Sequence, residues 1–116
     1  MRHHSIQIAK EIAIQLGATH GIPQIKTFTG ASNFETLQDD GDSRGGLSFH
    51  FPRTKNRKGH SVNRVSVRLD ANDTYSVEFG YQHGRSYSIR FAMSGVYCSM
   101  LRDMWWNNTG LTLSFR

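Results

Sequence analysis

A chain of 116 residues with 37% hydrophobic and 20% charged side chains can bury one core without staples and is too short for two, so a single domain over residues 1–116 is expected. This composition excludes an intrinsically disordered chain, and the single cysteine, Cys98, excludes an internal disulfide framework. No window approaches the ~18 apolar residues of a membrane span and no apolar leader opens the chain, so the sequence predicts a cytoplasmic protein without membrane contact; its net charge of +5 suits polyanionic partners.

Residues 5–16 read as a helix, with Ser5 as N-cap, a core stripe of Ala9, Ile12, Ala13 and Leu16, flanking apolar Ile8 and Ile14, and Gly17 as its terminator. After a connection containing Gly21 and Pro23, residues 25–29 read as a short strand before Gly30, and residues 31–37 fit either strand or turn. Asp39-Asp40-Gly41-Asp42 and Gly45-Gly46 punctuate the chain as turns.

Four segments then alternate with period two, the signature of strands with one apolar face. Their apolar sets are Leu47, Phe49 and Phe51; Val65, Val67 and Leu69; Tyr75, Val77, Phe79 and Tyr81; and Tyr87, Ile89, Phe91 and Met93. Short links at residues 71–74 and 83–84 favour antiparallel hairpins. Ser94 or Gly95 opens a second helix over residues 96–108, with Tyr97, Met100, Leu101, Met104 and Trp105 on one face and Gly110 ending it. Leu111, Leu113 and Phe115 alternate again, as an edge strand or a packed tail. The predicted fold is α+β, in the order α-β-β-β-β-α: an antiparallel meander with two helices packed on one face and the other face open.

The functional signal is a block of charge. Between Ser43 and Leu69 lie Arg44, Arg53, Lys55, Arg57, Lys58, Arg64 and Arg68 and no carboxylate. Residues 52–63 read as a long basic hairpin loop. By strand parity Arg64, Arg68 and Arg90 join His50 on the open face, so loop and face are expected to form one basic surface able to contact phosphates, with Glu78 offsetting it in part. That face carries no aromatic by parity, which argues against base stacking on the sheet.

Other chemistry is weaker. Trp105 and Trp106 are adjacent on a helix, so either one is exposed, with Trp106 available to a partner or a second copy in a homodimer, or both are partly buried against the tail. Cys98 reads as a small helix residue rather than a nucleophile. The histidines show no metal-ligand spacing, the acidic turn lacks the remaining ligands of an EF-hand, and no phosphate loop, dinucleotide fingerprint or serine elbow occurs. His50 with Glu78 or Asp70 is a conceivable acid–base pair that no motif fixes in space. The expectation is therefore no catalytic residue, no metal and no cofactor.

Residues 8–17 (IAKEIAIQLG), Thr29-Gly30-Ala31-Ser32-Asn33-Phe34, Gly46-Leu47-Ser48-Phe49, residues 73–80 (DTYSVEFG), Val96-Tyr97, Leu101-Arg102-Asp103 and Thr109-Gly110-Leu111 resemble a group of short uncharacterised proteins encoded by bacteriophages, prophages and gut viromes. The chain departs from that group at Met104-Trp105-Trp106-Asn107-Asn108 and in a longer, more basic stretch over residues 53–63. The resemblance implies phage provenance and carries no active site. It leaves two functional expectations: a nucleic-acid binding protein acting through Arg53, Lys55, Arg57, Lys58, Arg64, Arg68 and Arg90, or an anti-CRISPR-like inhibitor that binds a host effector protein stoichiometrically.

Overall fold

A computed structural model describes residues 2–41 and 43–113, with side chains from Ile6 onward. Helices α1 (Arg2–Leu16) and α2 (Ile22–Thr29) precede strands β1 (Ser32–Leu37), β2 (Ser43–Lys55), β3 (Ser61–Asp70), β4 (Tyr75–His83) and β5 (Ser86–Val96). A 3-10 turn at Cys98–Met100 leads into α3 (Leu101–Thr109). The strands form one antiparallel sheet in the order β1-β2-β3-β4-β5. The fold class is α+β, as the alternation predicts, with one more strand and one more helix than expected.

The stripe Ala9, Ile12, Ala13 and Leu16 is buried on α1 together with Ile8, whereas Ile14 is exposed. The helix begins at Arg2, so Ser5 lies inside it and is not its N-cap. Residues 25–29 are not a strand. Pro23 sits in the first turn of α2, and Gly30 closes it in the left-handed conformation at φ 71°, its N–H donating to the Lys26 carbonyl at 2.9 Å. Proline inside the start and glycine past the end bracket a helix, and here they outweigh the β-branched residues between them.

The core is a slab between the sheet and the helices. Leu47, Phe49 and Phe51 of β2, Val62, Val65 and Val67 of β3, and Val77 and Phe79 of β4 face it, each at most 4% exposed. Trp105 of α3 is its hub, with ring centroids 5.7 Å from Phe49, 5.2 Å from Phe51 and 6.2 Å from Phe79. Phe34 of β1 stacks on Phe49 at 4.9 Å. Burying side chains of this size is worth roughly 1.5–3 kcal/mol each, so this cluster dominates cohesion.

The second helix is shorter than its apolar pattern suggests. β5 continues through Ser94 and Gly95 to Val96, and only residues 101–109 are α-helical. Tyr97 and Met100 are accordingly exposed, while Leu101, Met104 and Trp105 are buried. Gly110 does end the helix, in the left-handed conformation. Residues 111–113 are not a strand: the Leu111 carbonyl accepts from Trp105 Nε1 at 2.7 Å, and the Leu113 carbonyl accepts from Gln24 Nε2 at 2.6 Å. Phe115, and Asp42 of the acidic turn, lie outside the described residues.

Candidate nucleic-acid interface

The loop expected over residues 52–63 is mostly strand. β2 runs to Lys55 and β3 starts at Ser61, leaving a tip of residues 56–60. The pairing steps from His50↔Arg64 to Thr54↔Val62, so β2 spends four residues where β3 spends two. Phe51, Pro52 and Arg53 occupy this bulge, where a proline with no N–H to offer costs the ladder nothing. Within the tip, the Asn56 side-chain oxygen accepts from the N–H groups of Lys58 and His60, both at 3.0 Å, and Asn56 N donates to the His60 carbonyl at 2.9 Å.

The tip is docked on α3. Thr54 Oγ1 donates to the Thr109 carbonyl at 2.8 Å, and the Arg57 N–H donates to the Asn107 carbonyl at 3.3 Å. Both acceptors belong to the last turn of α3, whose carbonyls have no partner within the helix. The hairpin therefore satisfies the helix end while the helix fixes the hairpin.

This docking closes a cleft of about 320 Å³ between tip, α3 and β5. Arg57 and Lys58 enter it from the tip, Arg90 from β5 and Asn107 from α3, over a floor of Phe91, Met93 and Met104; no carboxylate lines it. Arg90 is there because β5 carries a bulge. Phe79 pairs with Phe91 but Gly80 pairs with Ile89, which leaves Arg90 as the extra residue. Its guanidinium lies 5.7 Å from the Tyr81 ring centroid, and its Nε donates to the Ser61 carbonyl at 3.2 Å. Arg53 and Lys55 are exposed on the adjoining arm of β2.

The expected single basic surface is thus divided. Arg64 and Arg68 lie on the uncovered sheet face with His50, as parity predicts, but Arg90 does not join them, because the bulge turns it toward the helix side. The same bulge brings Tyr87 onto the uncovered face, which parity had left without aromatics. Tyr87 Oη donates to Glu78 Oε2 at 2.8 Å, and the Arg64 guanidinium sits 5.3 Å from the Tyr87 ring centroid. Burial, the hydrogen bond to Glu78 and the Glu78 charge push the Tyr87 phenol up to about 12, against the opposing pull of Arg64. It is a fixed donor at neutral pH, not a proton shuttle.

Charge on that face is compensated in part. Arg68 meets Asp40 at 3.5 Å and Ser43 Oγ at 3.0 Å, while Arg44, the extra residue of a bulge at the start of β2, meets Asp73 of the β3–β4 turn at 2.6 Å. Arg64 makes no ion pair among the described residues, and its Nε is buried without a hydrogen-bond partner. Burial, followed by the Arg64 charge, lowers the His50 pKa from 6.5. Elsewhere Trp105 is buried and Trp106 is 46% exposed, and Cys98 is exposed. Among the described residues no three His, Cys, Asp or Glu side chains gather as metal ligands, and no helix is long and apolar enough to cross a membrane.

Phe91, Met93, Met104 and Asn107 were not legible as site residues. The run Ser88-Ile89-Arg90-Phe91 carries no sign of the bulge that brings Arg90 beside them, because a bulge and a regular strand write the same letters. No family model, curated protein or solved structure matches the chain.

Proposed function

We propose that this is a small, non-enzymatic protein of phage type that works in the host cytoplasm and binds nucleic acid through the β2–β3 hairpin and the cleft beside it. The observation that carries this reading is the convergence of Arg57, Lys58 and Arg90 on one cleft with no carboxylate in its wall. Arg53 and Lys55 extend the positive charge along the same arm, where exposed cations can follow a phosphate backbone. Arg64 and Arg68 contribute less, since Arg68 is paired with Asp40 and Arg64 is packed on Tyr87. Salt-titrated binding of single-stranded and duplex DNA and RNA tests the reading: affinity falls steeply with salt and is lost when Arg53, Lys55, Arg57 and Lys58 become alanine. Affinity unchanged by those substitutions would remove it.

A second reading rests on the half-exposed Trp106. An exposed tryptophan suits an interface hot spot, and it supports an anti-CRISPR-like inhibitor bound to a nucleic-acid-handling host effector, or a homodimer. That reading predicts a stoichiometric protein complex sensitive to Trp106→Ala and little affinity for free nucleic acid.

A further inference from the structure

We infer that the cleft between hairpin tip, α3 and β5 admits one unpaired nucleotide, phosphate and base together, so that the protein engages single strands or strand ends in preference to duplex. This inference rests on the nucleic-acid reading above and narrows it to a substrate class. A cleft of about 320 Å³ lies at the small end of the roughly 300–1,000 Å³ of sites that enclose a small ligand. That is room for one nucleotide unit and not for a double helix.

The lining divides into two halves of different chemistry. Arg57, Lys58 and Arg90 supply donors for a phosphate, and neither Arg57 nor Lys58 makes an ion pair among the described residues. The terminal nitrogens of Arg90 make no hydrogen bond to the described residues, while its Nε is held by the Ser61 carbonyl. The second half is apolar: Phe91 is half-buried and Met93 is 44% exposed, beside the largely buried Met104. Thioether and aromatic surfaces suit the flat face of a base.

Asn107 also lines the cleft. Its backbone carbonyl holds the tip, but its side-chain amide makes no hydrogen bond to the described residues. An amide offers one acceptor and two donors, the complement of a base edge. Phosphate alone would need only the cations, and an apolar ligand only the floor; a nucleotide uses both.

Two measurements on the whole chain test this. Backbone NMR is followed during titration with a nucleoside monophosphate, with inorganic phosphate and the unphosphorylated nucleoside run separately. The monophosphate is also used to compete a labelled single strand off the protein. The expected result is movement of the amides of residues 57–58, 90–93 and 107, with either half-ligand binding about tenfold or more weakly, and displacement of the strand. Met93→Glu, which adds a carboxylate at an exposed position, and Asn107→Ala each weaken monophosphate binding about tenfold while the unaffected amide shifts report an intact fold. Strand binding that is insensitive to the monophosphate and to Met93→Glu would overturn the cleft assignment and leave the nucleic-acid reading standing. Monophosphate in the cleft without any strand binding would uphold the cleft and overturn that reading. Silence in both measurements would end both, and leave Arg57 and Lys58 as cations that complement the carbonyl end of α3.

Discussion

Tyr87 lies across β4 because residue 80 is glycine. A Cβ at Gly80 would collide with the Tyr87 hydroxyl and ring, so the smallest side chain makes room for a ring that reaches Glu78 and underlies Arg64. Gly80→Ala is expected to destabilise the protein by about 1–3 kcal/mol, the usual cost of overpacking, and Tyr87→Ser in the same chain to recover most of it; denaturant unfolding of the two variants measures this. His50 gives a prediction with a sign. Its pKa is lower in the folded protein than the 6.5 of a free imidazole, so below 6.5 the unfolded chain binds more protons than the native one. Stability contributed by neutral His50 is present above pH 6.5 and is lost as pH falls through 6.5 toward the folded pKa. His50→Gln should flatten that part of the stability–pH curve and leave the plateau above it unchanged in slope.

Among the elements, the hairpin and α3 depend on each other. Thr54→Val keeps the shape of the side chain but strips the hydrogen bond to the Thr109 carbonyl, at an expected cost of about 1 kcal/mol. Amide exchange at residues 56–60 should quicken more than exchange in β3, since the hairpin loses one of its two bonds to α3. The period-two pattern located β2 to β4 because each buries one face in the core, as Leu47, Phe49, Val65, Val67, Val77 and Phe79 show, whereas β5 is exposed on both faces except at Tyr87, Phe91 and Val96. It failed where geometry departs from period two. The bulge at Arg90 reverses the parity of Tyr87 and Ile89, and the bulge over residues 51–53 reads as loop. α2 was hidden for another reason: an eight-residue helix holds about two turns, too few for a helical stripe to outvote Ile25 and Thr27. The cleft inherits the first failure, since its Arg90 comes from a bulge, and its Asn107 comes from α3, whose start lies later than its apolar residues suggest.

At the scale of the molecule, the sheet separates two kinds of positive charge. On the uncovered face, Arg68 is paired with Asp40 and Arg64 is packed on the Tyr87 ring. On the helix side, Arg57, Lys58 and Arg90 meet in a cleft without carboxylates. The exposed Arg68–Asp40 pair contributes little to stability and Arg57 and Lys58 make no ion pair among the described residues, but Arg64 and Arg90 pack on Tyr87 and Tyr81, so denaturant unfolding of each variant accompanies its binding measurement. The measurement that bears most directly on this division is the salt dependence of single-strand affinity. It should compare the unaltered protein with one variant carrying Arg57→Ala, Lys58→Ala and Arg90→Ala and another carrying Arg64→Ala and Arg68→Ala. The cleft variant should lose most of its affinity, its salt slope falling by about one for each phosphate contact removed, while the sheet variant keeps the slope of the unaltered protein. Equal losses in the two variants, or a loss confined to the sheet variant, would contradict this division.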